Sequence, residues 1–175
     1  MRLEISAGDD VLKRFGNRLA AAAERAPTAM ARALNHESDK ARTQIKRSLA
    51  QITGIKPSMI SVGFSTRRAT ASNLTYEFRQ RGSETNLNLF RARQGARGVS
   101  AAPWNVRRVF PGTFMVPAYG NKVYERSGDK RFPLSPLYGP NLAREIVKGE
   151  PRAAFEAIPL RLAARVAHEL DFMGL

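Results

Sequence analysis

The spacing of apolar residues changes twice along this chain, and those two changes constrain its fold more than any other feature. Up to Gly54 the period is helical. Asp9 and Asp10 suit the first turn of a helix, with Ser6 or Gly8 as cap, and Val11, Leu12, Phe15 and Leu19 follow at helical spacing. Proline fits the start of a helix, so Ala26-Pro27-Thr28 predicts a kink or a restart. Beyond it Met30, Leu34, Ala41, Ile45, Leu49 and Ile52 share one face, Lys40, Lys46 and Arg47 lie elsewhere, and Gly54 offers the stop.

After Gly54 the period becomes two. Lys56-Pro57-Ser58 can open a single turn of helix, Val62, Phe64 and Thr66 then alternate with polar residues, and Leu74, Tyr76 and Phe78 do so again. Ala71-Ser72-Asn73 joins these two stretches as a hairpin turn. Glu77, on the outer face of its strand, pairs with arginine at the surface. Leu87 and Leu89 start a further strand candidate, and Arg91 to Ser100 reads as a basic, glycine-containing loop that a partner would order. Val106, Arg108 and Phe110, then Thr113 to Val116 after the Pro111-Gly112 turn, then Lys122 to Arg126 and Arg131 to Leu134 make a meander of short strands. Helical spacing returns at Pro140-Asn141, which opens a helix closed by Gly149. Phe155, Ile158, Leu162, Val166 and Leu170 trace a final stripe containing Pro159. The expected class is α+β in a single domain of 175 residues: helices over 1–53, an antiparallel sheet of short strands over 54–138 with the basic loop 91–100, and helices over 139–175.

Charge is concentrated in the middle of this pattern. The chain carries 29 Lys and Arg against 15 Asp and Glu, a net +14. Residues 61–112 hold nine basic residues and two acidic ones, and all nine are arginine: Arg67, Arg68, Arg79, Arg81, Arg91, Arg93, Arg97, Arg107 and Arg108. The guanidinium fork suits phosphate or carboxylate, so the cluster reads as a surface for DNA phosphates, always without base specificity, or for an acidic protein rim; a merely solvated basic face is the plain alternative. Phe64, Tyr76, Phe78 and Phe90 are expected in the core and not as stacking platforms.

Other chemistry lacks its raw material. Without cysteine there are no disulfides, thiolate metal sites or cysteine nucleophiles. His36 and His168 are far apart and have no metal spacing, and Glu77 and Glu84 are the only acids between Asp39 and Glu125. No catalytic residue, metal site or cofactor is therefore expected, and no enzyme activity. Mean hydropathy is −0.36, no apolar run reaches the length of a membrane span, and the N-terminus does not resemble a secretory signal, so a host-cytoplasmic origin without membrane contact is expected.

The stretch Gly98 to Pro140 carries GVSAAPW with Trp104, the basic pair Arg107-Arg108, a Pro-Gly-x-Phe turn at Pro111, Gly112 and Phe114, and VYERSGDKRFPLSPLYGP with Gly128, Pro133, Gly139 and Pro140. In order and spacing it resembles the prophage minor tail protein Z family, the tail-completion proteins of long-tailed bacteriophages. ARALNHESDKARTQIKRSLAQITGIKPSMI is similar to that family's N-terminal helix and its threonine-glycine exit, so the likeness covers roughly residues 30–147. Phe132 stands where the family has leucine, and the tip Pro117 to Lys122 departs from its glycine-rich tip. The resemblance implies a virion subunit at the head-proximal end of the tail, in a homo-oligomeric ring such as a hexamer. The implied partners are the tail terminator, the tail tube and connector proteins, with non-specific contact to DNA in the channel. A sequence-independent nucleic-acid-binding module is the alternative.

Overall fold

The computed structural model of the protein describes residues 2–6 by backbone, and residues 25–80, 82 and 84–173. The helix expected around Val11 to Leu19, and Arg81, lie outside the described residues. The fold is α+β, with long helices and small antiparallel sheets of short strands. The chain divides into two compact units. The first comprises Met1–Ile45, Phe64–Gln80 and Gly149–Leu175, and the second Lys46–Gly63 and Arg81–Lys148.

In the first unit, helix α1 (Ala26–Thr53) begins at the expected restart, with Pro27 in its first turn where no N–H is required. Met30, Leu34, Ala41 and Ile45 of the predicted stripe are buried. Strands β2 (Phe64–Arg67) and β3 (Thr75–Gln80) pair antiparallel, with Thr70 and Asn73 bridged at the expected turn. Residues 2–6 are not helical: Arg2–Ser6 is strand β1, paired with the other edge of β3, so that a mixed apolar and polar pentapeptide gains a full ladder of hydrogen bonds. Tyr76 and Phe78 are buried, and Phe78 meets Phe155 edge to face at 6.0 Å. Phe155 belongs to α4 (Gly149–Glu156), while α5 (Ile158–Phe172) buries Ile158, Leu162, Val166 and Leu170 as the stripe predicts. Gly149, expected to close a helix, instead begins α4.

Carboxylates join the elements of this unit. Asp39 on α1 accepts hydrogen bonds from the Tyr76 hydroxyl and from Arg68, each at 2.7 Å, and lies 3.4 Å from Arg42. Burial, then the hydrogen bond to Asp39 and its negative charge, push the Tyr76 phenol well above its ordinary value. The Asn35 side chain donates to the Ala69 carbonyl and accepts from the Ala69 N–H, clamping the loop between β2 and β3. Glu77 was expected at the surface but is buried, although it shares its strand face with exposed Arg79, with which it pairs as expected, and lies across from exposed Arg67.

The second unit contains the end of α1, the short helix α2 (Pro57–Val62) and two three-stranded sheets. One has the order β4 (Arg93–Gly95), β5 (Gly98–Ala101), β6 (Arg108–Pro111), and the other β7 (Thr113–Val116), β8 (Lys122–Arg126), β9 (Leu134–Pro136). The expected basic loop 91–100 is therefore a β-hairpin, because Gly95 and Gly98 face each other at its closed end and Arg93 pairs with Ser100. The expected single meander is broken at Gly112, whose φ of +71° turns the chain so that β7 leaves the ladder of β6 and begins a new sheet. The last of the expected extended pieces lies at Leu134–Pro136 and not at Arg131 to Leu134. Leu87–Leu89, expected as strand, is a 3-10 turn because the Asn86 side chain accepts from the Asn88 N–H. Asn141 caps α3 (Leu142–Glu145) as expected. Asn86 is the polar centre: it donates to the Val123 carbonyl at 3.1 Å and accepts from the Val123 N–H at 2.8 Å, in the middle of β8.

Two outcomes follow. Asn86→Ala leaves the buried Val123 N–H without its acceptor and lowers unfolding stability by about 2 kcal/mol, measurable by urea titration. Burial by itself raises the Glu37 carboxyl, but hydrogen bonds from His36 and Lys40 and the charges of Lys40 and Arg161 outweigh it and hold the group below its ordinary 4.5. A depressed carboxylate contributes stability above the unfolded value and loses it as pH falls through the folded one. Thermal unfolding should therefore show an acid-side decline below pH 4.5 that is shallower in Glu37→Gln.

Candidate interaction surface

The structure divides the seven singled-out arginines between the units. Arg67 and Arg68 belong to the first, and Arg91, Arg93, Arg97, Arg107 and Arg108 to the second. Arg67 ends β2 opposite Glu77 and is exposed. Arg68 is engaged by Asp39 and so serves the internal network of its unit.

The remaining five gather on and around the sheet β4–β5–β6. Register puts Arg93, Ser100 and Val109 in one cross-strand row, so their side chains share a face. Val99 and Ala101, on the opposite face, are buried, which makes the Arg93 face the outward one. Arg97 lies in the turn of the hairpin and is exposed. Arg107 is held in place: one terminal nitrogen donates to Ser100 Oγ at 2.8 Å and the other to the Arg91 carbonyl at 3.1 Å. Its acceptors are neutral, and among the described residues no carboxylate pairs with Arg91, Arg93, Arg97, Arg107 or Arg108. Composition explains this, since residues 85–124 contain no aspartate or glutamate.

The predicted structural positions lie in the same unit. Trp104 sits in a 3-10 turn (Pro103–Asn105) with φ +52°, and 47% of it is exposed. Pro111 ends β6 and Gly112 makes the corner. Phe114 of β7 is half-buried beneath the Arg126 guanidinium, 5.5 Å from its ring centre. Gly128 and Pro133 are exposed, the latter after a cis peptide bond. Pro140 is buried, and Gly139 lies against the buried Phe90 so closely that a Cβ would come within 2.5 Å of the ring. Among the described residues no three His, Cys, Asp or Glu side chains are grouped to hold a metal, and no helix is long and apolar enough to cross a membrane.

Sequence reasoning missed Ser100 as the anchor of Arg107, and it treated Val106 and Val109 only as members of an alternating strand. The two valines are 55% and 50% exposed. The two valines on either side of the arginine pair were visible, but their exposure was not.

Gly139→Ala forces the Phe90 ring aside in a filled core and should cost about 1–3 kcal/mol, read as a lowered denaturation midpoint with unchanged secondary structure. Comparison of the chain with protein-family models, with characterised proteins and with solved structures finds no match.

Proposed function

We propose that this protein is a structural virion subunit, a minor tail or tail-completion protein that joins a ring at the head-proximal end of a long-tailed phage tail and helps head–tail joining and DNA passage. The observation that carries this reading is that the motif on which the resemblance rests does structural work in the second unit. Gly112 turns the chain from one sheet to the next, Gly139 admits Phe90, and Pro140 is buried. Residues that hold the body together are those a family keeps while its loops vary. Its partners are the tail terminator, the tail tube and further copies of itself, and symmetry multiplies modest contacts from each subunit.

A second reading, a sequence-independent nucleic-acid-binding module, is favoured by the five arginines without a carboxylate partner. Salt separates the two. A dedicated module binds duplex DNA as a monomer with an affinity that falls steeply as salt rises, whereas a tail subunit shows little such binding outside its assembly.

The test is to locate the protein in intact particles and to produce particles without it. Labelled protein is expected at the head-proximal end of the tail, and its loss should leave heads and tails unjoined. Replacing Arg91, Arg93 and Arg97 together with alanine should lower the yield of infectious particles while the purified protein still folds. Particles that mature and infect normally without the protein would end the proposal.

A further inference from the structure

The segment Trp104 to Val109 runs from the 3-10 turn Pro103–Asn105 through two irregular residues into the start of β6. Here all six consecutive residues are exposed, and they include the only tryptophan of the chain and two valines. Val106 already has extended backbone, with φ −98° and ψ 108°, so the open stretch leads directly into β6.

β6 is also an edge. Its only ladder among the described residues is with β5. The Gly112 N–H donates to the Arg97 carbonyl, which fixes the phase of that ladder. In an antiparallel pair the hydrogen-bonded positions alternate, so Arg108 and Phe110 bond to β5 while the main-chain groups of Arg107 and Val109 point to the open side. Edges of this kind accept added strands unless charge, proline or a covering element blocks them. Pro111 removes one donor at the far end. The Arg107 side chain, tethered over Ser100 on the strand's other side, does not cover the edge.

We propose that the open edge of β6, with Trp104 and the flanking arginines, takes an extended acidic segment of a partner protein by strand addition. This rests on the reading that the chain works by assembling with other proteins. Charge selects the occupant. An added strand lies beside Arg107 and Arg108 in a region without a single carboxylate, so acidic side chains gain partners there and basic ones meet repulsion. A second copy of this chain pairing edge to edge would set arginine against arginine, in a protein of net charge +14. A DNA duplex offers charge but neither main-chain groups for the open edge nor apolar side chains for Trp104, Val106 and Val109. The mixture of tryptophan and arginine without acids is the composition of protein-interface centres.

The full-length protein is titrated with four probes: an octapeptide of alternating glutamate and valine, the same peptide N-methylated at alternate residues, its lysine–valine counterpart, and a 20-base-pair duplex. Fluorescence of Trp104 is the readout. The glutamate–valine peptide is expected to bind saturably with a tryptophan shift, and the lysine–valine peptide is not. N-methylation removes the hydrogen bonds of one peptide edge and should weaken binding roughly tenfold or more without touching the protein. Arg108→Glu should weaken the acidic peptide by roughly tenfold, and Arg67→Ala, in the other unit, should not. Equal affinity for methylated and unmethylated peptide overturns strand addition. Absence of binding at millimolar acidic peptide, or a duplex that displaces it at lower concentration, overturns the choice of partner. These outcomes are independent of where the protein sits in a particle, so their failure is distinct from failure of the tail reading.

Discussion

Carboxylates are the limiting component of this molecule, and their distribution decides what each part of the surface is free to do. With 15 acids against 29 bases, every acid placed in an internal network leaves cations elsewhere without a counter-charge. Among the described residues most of the pairing lies in the first unit. Glu37 meets Lys40 and Arg161, Asp39 meets Arg42 and Arg68, Glu77 meets Arg79, and Glu169 meets Arg165. Two of them cross between elements: Glu37–Arg161 joins α1 to α5, and Asp39–Arg68 joins α1 to the loop between β2 and β3, so these are links within the unit and not isolated surface pairs, which contribute little.

The second unit is held by other means. Its polar centre is a neutral asparagine that completes the main-chain bonding of β8, and its sheets are small enough for corners and short turns to set their arrangement. Neutral hydrogen bonds satisfy buried main-chain groups without consuming charge. The arginines of residues 91–108 consequently face outward unneutralised, and the surface keeps the long reach of an uncompensated positive field.

Most of the architecture was legible in the sequence, because apolar periodicity reports which face of an element meets a core. The restart at Pro27, the stop at Gly54, the hairpin around Ser72 and the stripe from Ile158 to Leu170 all follow from spacing and turn chemistry. What was not legible depended on partners distant in the chain. Arg2–Ser6 is a strand only because β3 offers it an edge, and Glu77 is buried although its own strand face carries the exposed Arg79. The segment Arg91 to Ser100 has the composition of a mobile loop, yet two glycines set in register let it close as a hairpin. For the surface, residue type revealed where the arginines cluster, but not that Arg68 is bound by Asp39 while Arg107 is held by neutral oxygens.

The tether on Arg107 has a consequence for any anion that reaches it. A free arginine side chain loses about 2 kcal/mol of rotamer entropy when it is immobilised, and that loss normally subtracts from the affinity of the contact. Here Ser100 and the Arg91 carbonyl have restricted the guanidinium before an anion arrives, while its positive charge remains whole. Association at this point thus begins from an ordered cation, and a single weak contact can fix the orientation of the incoming chain.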